Sequence, residues 1–282
     1  GHETAWSMIV ADRLGVDPDD VEVLHSDTAI SPLGLDTYGS RSLSVGGTAI
    51  WMATERVVEK ASQIAAHMLE ANAEDLELAN GVFNVKGTPG AEVPLAEVAF
   101  AAFTAHDLPE GLEPNLQAEV TWDPPNFTFP FGAHIALVEI DEETGEVEVI
   151  DYAAVDDCGN QINPMIVEGQ VHGGIVQGIG QALWEEAIYD EDGQCRSTNL
   201  GDYLVPSAAE TIDMKLDHTV TPSPTNPLGV KGIGEAGTIA STPAVMNAVV
   251  DALRHLGVTE MAMPASPMRV RRSIENAQGG AA

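Results

Sequence analysis

The sequence predicts an α+β fold made of two mixed α/β halves with antiparallel hairpins. Two turn signals, Asn80-Gly81 and Thr144-Gly145, each sit between runs of strand-forming residues, which marks a hairpin. Stretches with apolar residues at helical spacing flank both hairpins, and no strand–helix–strand succession of the parallel kind is present. A chain of 282 residues with 44% apolar content can bury one large or two medium cores.

The first half begins with a helix over 2–14, periodic in Trp6, Ile9, Val10 and Leu14 and closed by Gly15. Val21–Ser26 alternates as a strand, and 27–40 is a loop rich in Gly, Pro and Asp. A long helix follows over 46–73, with Ile50, Ala53, Val57, Ala61, Ile64 and Met68 on one face. Leu76–Leu78 and Val82–Val85 form the first hairpin, and 95–103 is a short helix. Residues 106–131 carry five prolines and join the halves, which we divide as 1–115 and 116–282.

In the second half a hairpin pairs 133–140 with 146–155. A helix spans 163–186, with Val171, Ile175, Ile179 and Leu183 as its core stripe. A weak strand pair near Ile188 and Tyr203, a strand over 214–219 and a C-terminal helix complete the order. Residues 278–282 read as disordered. The chain opens in helix-like sequence without an initiator Met or a basic leader, as expected of a fragment or processed piece of a longer chain.

One stretch stands apart. Asn226–Ala244 reads NPLGVKGIGEAGTIASTPA, with Gly229, Gly232, Gly234 and Gly237 around a single carboxylate, Glu235. Glycines at this density allow positive φ and close approach of backbone to a ligand. Thr242 and Pro243 then read as the cap and first turn of a helix. Three roles are open for the loop. The spelling Gly232-x-Gly234-x-x-Gly237 matches a dinucleotide fingerprint, which would make the protein an NAD-dependent dehydrogenase, but the three prolines just before it are poor strand material. The loop could instead present Glu235 as a catalytic base, or be a tight turn that sets a carboxylate at a helix N-terminus.

The net charge of −32, from 44 acidic and 12 basic residues, excludes a nucleic-acid surface. Scattered acids of this kind resemble the surfaces of proteins from high-salt cytoplasm, so a halophilic source is expected. The unfolding midpoint should then rise as potassium chloride goes from dilute to molar, because salt screens the self-repulsion. A flat or falling midpoint in a thermal melt series would overturn this. Only Cys158 and Cys195 occur, which gives neither a disulfide framework nor an iron–sulfur or zinc ligand set and points to a reducing cytoplasm. No apolar run reaches the length of a membrane span.

GVKGIGEAGTI, the opening GHET, TYGSRS at 37–42 and VDDCGNQINPMIVEGQVHGGIVQGIGQALWEE at 155–186 occur in one order. Together they resemble the large subunit of the molybdenum hydroxylases: xanthine dehydrogenase, aldehyde oxidase and aerobic carbon monoxide dehydrogenase. The branch most similar is that of carbon monoxide dehydrogenase. The resemblance implies a C-terminal molybdopterin-binding part of a molybdenum-dependent oxidoreductase, with a fold of the molybdenum-cofactor-binding type. It implies Glu235 as general base, and Gly39, Ser40, Arg41, Ser42, Gln170, Gly234 and Gly1 as cofactor contacts. A glycine loop poor in water would raise the carboxylate of Glu235 toward working pH. No side chain is implied as a metal ligand, since a pterin's dithiolene sulfurs hold the metal. His2 is then a structural residue near it.

The residues also stand without the resemblance. Gln170, Gly174, Gln177 and Gln181 form a stripe of amides and small residues that suits a flat polar ring, or bonds to neighbouring backbone. Residues 38–42 form a hydroxyl-rich turn suited to phosphate oxygens, or one that caps the next helix. Cys158 reads as a small buried residue at a strand end, and Asp156 and Asp157 as turn and cap groups. The resemblance further implies molybdopterin, as its cytosine dinucleotide, with molybdenum. It implies iron–sulfur clusters on a small subunit and FAD on a medium subunit, the remaining part of the large subunit, and a dimer of heterotrimers. Substrates in such a family are aldehydes, N-heterocycles or carbon monoxide, with an aldehyde-like one favoured over carbon monoxide here. A non-catalytic acidic assembly subunit is the non-enzyme alternative.

Overall fold

The structure, a computed structural model, describes residues 1–30, 34 and 36–279. They form two compact units, Gly1–Phe127 with Thr225–Leu228, and Thr128–Pro224 with the residues from Gly229 onward. The division follows Phe127, within the proline-rich stretch that joins the halves.

In the first unit, α1 (His2–Leu14) ends on Gly15 in the left-handed conformation, φ 69°. A Cβ on Gly15 would lie 2.4 Å from the Gly81 nitrogen, so α1 closes directly onto the first hairpin turn. α1 packs on α2 (Thr48–Met68), and α2 is entered through one π-helical turn, Leu43–Gly47. The buried face of α2 is Thr54, Val58, Ala61, Ile64 and Ala65. Of the stripe expected for this helix, Ala61 and Ile64 are buried, while Met68 is exposed. β1 (Leu76–Ala79), β2 (Val82–Val85) and β3 (Glu92–Pro94) make an antiparallel sheet in that order. Asn80 and Gly81 turn the hairpin with φ of 51° and 74°, as a type I′ turn requires.

β3 was not expected from the sequence. It has three residues and ends in proline, which only an edge strand tolerates. α3 (Leu95–Thr104) follows at once, and its Val98 and Ala102 close a core with Phe83, Val93 and Ile64. Val21–Ser26, expected as a strand, joins neither sheet. Its alternation serves an extended segment that is exposed along much of its length. Residues 31–33 and 35 of the expected 27–40 loop lie outside the described residues.

The second unit is built on β4 (Phe131–Ile140), β5 (Val147–Asp157) and β6 (Lys215–Thr219). β5 is central, antiparallel to β4 and parallel to β6, with a bulge at Leu137/Val138. α4 (Pro164–Leu183) starts with Asn163, whose side chain accepts from the Ile166 amide, and Pro164 at the first turn. α5 (Ala236–Leu253) packs against both α4 and β4. α6 (Pro267–Gly279) adds Val270 and Ile274 to a core of Tyr152, Val171, Ile175, Ile179, Leu183, Val245, Val249 and Leu253. The expected α4 core stripe is thus buried throughout.

Four expectations for this unit do not hold. β5, α4 and the parallel β6 make a strand–helix–strand succession of the kind the sequence did not show, because β6 is short and far along the chain from β5. The helix expected to start at Thr242-Pro243 begins six residues earlier, so Pro243 is interior. Thr242 is not a cap; its hydroxyl bonds the carbonyls of Thr238 and Gly178 and Oε1 of Gln181. The segment at Ile188 pairs not with Tyr203 but with its own hairpin, through Arg196 N–H to Ile188 O at 2.7 Å and a bridge between Tyr189 and Cys195. The Tyr203 hydroxyl instead donates to Glu185 at 2.6 Å. Gln278, expected in a disordered tail, lies in α6, and 280–282 fall outside the described residues. No helix among the described residues is long and apolar enough to cross a membrane.

Candidate active site

The glycine loop is stitched to the end of β5 before it reaches Glu235. Gly229 O accepts from Asn160 N–H at 3.1 Å and from Ser223 N–H at 3.0 Å, and Lys231 N–H donates to Cys158 O at 2.8 Å. Gly159 and Val230 form an isolated antiparallel bridge. Both glycines at this seam take positive φ, and a Cβ on Gly159 would lie 2.3 Å from Gly229 O. The loop therefore arises from irregular backbone and not from a parallel strand, which removes the structural context that a dinucleotide fingerprint needs.

The remaining loop glycines do different work from the one expected. Of the four, only Gly229 has positive φ. Gly237, in the first turn of α5, lets that helix touch α4. A Cβ there would lie 2.7 Å from Val171 O and 2.9 Å from Ile175 N. Gly174 of α4 faces it, and a Cβ on Gly174 would lie 3.0 Å from Gly237 Cα. Gly178 lies one turn on, against Ser241. The two helices thus meet along small residues, and Gly174, expected in a ligand stripe, is buried in the seam.

Glu235 is the residue immediately before α5, at φ −108° and ψ −11°. It is exposed, so the desolvation expected for a catalytic base is not supplied by the second unit. Two residues after it, Gly237 rests on the Val171–Ile175 turn of α4, and Gln170 precedes that turn. Gly234 and Glu235 thus lie just before a helix whose first turn packs on the α4 turn that follows Gln170. Around Gln170, α4 leaves Gly169, Gly173 and Gln177 exposed, and added methyl groups at both glycines would meet nothing within 4 Å. An exposed strip with amides at 170 and 177 and bare backbone at 169 and 173 fits a flat ring that carries donors and acceptors. Gln181 belongs to the seam through its bond to Thr242.

The other predicted contacts belong to the first unit. Gly39 and Ser40 take φ of 58° and 54°, and open space lies where a Gly39 side chain would be. The Arg41 guanidinium lies 4.2 Å from the centre of the Tyr38 ring and donates to Tyr38 Oη at 3.1 Å and to Asp36 O at 3.3 Å. Ser42 Oγ donates to Thr37 Oγ1 at 2.5 Å. Hydroxyls, a guanidinium and an unobstructed glycine are a donor set that fits phosphate oxygens. Gly1 is the residue before α1, and its carbonyl takes the Ala5 amide at 2.9 Å. His2 stacks on Trp6 at 5.2 Å, and burial lowers its pKa. Among the described residues no group of three or more His, Cys, Asp or Glu could hold a metal ion.

Sequence reasoning missed the groups under the loop. Asp157 is fully buried and accepts from Lys231 Nζ at 3.0 Å, Gly159 N–H at 3.0 Å and Thr219 Oγ at 2.9 Å. Burial alone would raise its carboxyl, but the Gly159 amide, Lys231 and the Thr221 and Thr219 hydroxyls outweigh it and hold the group well below the usual carboxylate range. Beside it His134 bridges Tyr152 Oη at 2.9 Å and Asp156 Oδ2 at 3.1 Å. Burial first, and the Asp156 charge second, push the Tyr152 hydroxyl up. Burial likewise raises the Cys158 thiol, as suits an inert packing residue. The one available signal was the position of Lys231, a lone cation four residues before Glu235.

A lowered carboxyl stabilises the fold above the unfolded pKa of about 3.9, and that stability is lost as pH falls further. Asp157→Asn should therefore flatten the acid limb of the stability curve below about pH 4. Urea melts at stepped pH check this, and parallel wild-type and variant curves there would overturn it.

The fold and these residues define a class: an α+β domain with an exposed amide-and-glycine strip on one helix and a carboxylate just before another, an arrangement that fits a planar polar cofactor. The family model of the molybdopterin cofactor-binding domain matches residues 1–212. The carbon monoxide dehydrogenase large chain of Hydrogenophaga pseudoflava is 45% identical over 275 residues, 98% of this chain and 34% of that relative. Two solved structures superpose closely. Carbon monoxide dehydrogenase from Oligotropha carboxidovorans has a TM-score of 0.92 at 40% identity, covering 100% of this chain and 35% of that one. Quinoline 2-oxidoreductase from Pseudomonas putida 86 has a TM-score of 0.90 at 44% identity, covering 98% and 35%. The chain belongs to the molybdopterin cofactor-binding domain family, within the molybdenum hydroxylases. It spans about a third of the length of these relatives. The C-terminal placement expected from the motifs rests on the resemblance alone.

Proposed function

We propose that this chain forms the molybdopterin-binding catalytic part of a molybdenum hydroxylase large chain, with Glu235 as its general base. The observation that carries this is the α4–α5 seam. Gly237, two residues past Glu235, packs on the α4 turn that follows Gln170, which supports a base acting at the exposed Gln170 strip. Gln170 and Gln177 would orient the ring of the cofactor by its edge donors and acceptors, and Gly169, Gly173 and Gly234 would let it approach the backbone. In the first unit, residues 39–42 would hold phosphate, which suits the cytosine dinucleotide form, and Gly1 would be a further cofactor contact, as the resemblance implies. Bound molybdopterin supplies the molybdenum that takes two electrons from the substrate.

The chain's own share is position and proton transfer. An exposed Glu235 carboxylate can accept, at an Oε atom, the proton of the water-derived oxygen that enters the product. Exclusion of water from Glu235 then falls to cofactor, substrate and the rest of the large chain. Iron–sulfur small and FAD medium subunits would carry the electrons onward in a cytoplasmic dimer of heterotrimers. The named relatives act on carbon monoxide and quinoline, which supports carbon monoxide or an N-heterocycle ahead of an aldehyde. The test is oxidation of quinoline by the assembled enzyme in ¹⁸O-water, with carbon monoxide oxidation read only as molybdenum-dependent turnover, because carbon dioxide exchanges its oxygens with water. Label in the product and stoichiometric molybdenum are expected. Unlabelled product, or turnover without molybdenum, would overturn the reading.

A further inference from the structure

We infer that Lys231 is a positioning residue for Glu235, acting through its buried ion pair with Asp157. The inference rests on Glu235 being the base. Lys231 is 7% exposed and Asp157 is fully buried, at 3.0 Å, with the ammonium also 4.7 Å from the centre of the Phe131 ring. A buried pair costs desolvation, and well-packed apolar residues often replace such pairs without loss of stability. Stability alone is therefore a weak reason for a lysine here.

Its location supplies a better one. Asp157 is the last residue of β5, and through Thr219 it also grips the last residue of β6. Lys231 is bound there twice, by its side chain and by its amide to Cys158 O. Six residues later Gly237 is locked onto the Val171–Ile175 turn of α4. Glu235 thus rides on a short span clamped at both ends, with residues 232–236 between the clamps. A short tether between two fixed points restricts where the carboxylate can go. A misplacement of about 1 Å can cost on the order of a hundredfold in rate.

The ion pair is suited to this in a way that an apolar pair is not. An ammonium with three donors and a carboxylate that accepts from four groups fix direction as well as distance. Apolar contact is non-directional and would let the span slide.

The experiment uses the assembled enzyme in three variants: Lys231→Met, Lys231→Met/Asp157→Leu and Lys231→Arg, with Glu235→Gln as reference. Lys231→Met leaves a buried carboxylate unpaired, and where it fails to fold the double variant stands in for it. We expect the double variant to fold, at a lowered melting point because the Gly159 amide and the Thr219 and Thr221 hydroxyls lose their acceptor, and to keep its molybdenum, yet to lose at least tenfold in kcat at nearly unchanged KM. In the cofactor-free enzyme, amides of 232–237 should exchange with deuterium at least tenfold faster, while those in the middle of α4 keep their rates. Lys231→Arg should recover part of both losses. Wild-type exchange at 232–237 in the double variant would overturn the inference, as would kcat within twofold of wild type. The exchange arm needs no turnover, so an active Glu235→Gln would refute the base assignment while leaving the tether still to be judged.

Discussion

Glu235→Gln is expected to slow substrate oxidation by the assembled enzyme on the order of a hundredfold to ten-thousandfold. Molybdenum content should stay near wild type. The amide keeps the size of the side chain and its capacity for hydrogen bonds, but it cannot take a proton. The change is confined to an exposed position before α5, so neither the α4–α5 seam nor the Asp157–Lys231 pair is touched. The same geometry suits a carboxylate placed only for the helix dipole, an effect of about 0.3–1 kcal/mol at an exposed site. The two roles separate cleanly by rate. Rapid mixing with substrate, with molybdenum measured on the same sample, decides between them. Full occupancy with a rate within roughly threefold of wild type would leave Glu235 as a helix-end carboxylate and nothing more.

Gly237→Ala should give the largest loss of stability among the loop glycines whose surroundings are described. The new methyl would meet Val171 O at 2.7 Å, Ile175 N at 2.9 Å and Gly174 C at 3.0 Å. All three are backbone atoms inside α4, so relief requires the helices to move apart and opens the packing of Val171, Ile175 and Val245. Overpacking of this kind costs about 1–3 kcal/mol. For a domain of this size that lowers the thermal midpoint by roughly 2–10 °C. Gly173→Ala is the contrast. It lies on the same helix with open space around it, so the gain in helix propensity should stabilise the cofactor-free chain by about 0.5–1 kcal/mol. The added methyl also intrudes on the strip beside Gln170, and cofactor content should fall. Calorimetry on the cofactor-free full-length large chain and molybdenum analysis of the assembled enzyme check both arms. Equal midpoints for the two alanine variants would show that the seam yields easily and that Gly237 is not required there.

The local elements and their order were legible from the residues alone. Asn80-Gly81 and Thr144-Gly145 dictated two hairpins, because few residues accept the positive φ found at Asn80, Gly81 and Gly145. Apolar spacing dictated α1, α3 and α4, with boundaries at Gly15 after α1, Pro94 before α3 and Asn163-Pro164 at the start of α4. The four ordered motifs carried the family resemblance, since their common order is a signal that none of them gives alone. What the residues left open was decided by contacts between distant segments. β3 exists only because β2 offers it an edge. α5 starts at Ala236 because the α4 surface receives Gly237; local propensity instead favoured Thr242-Pro243, an N-terminal pair by type that sits inside the helix. The loop glycines read locally as freedom for the backbone, yet Gly237 is there for close approach of a second helix. The ion pair of Asp157 with Lys231 joins residues 74 positions apart. No periodicity encodes a pair at that separation, and only the fold, by bringing the end of β5 under the glycine loop, gives the lysine its partner.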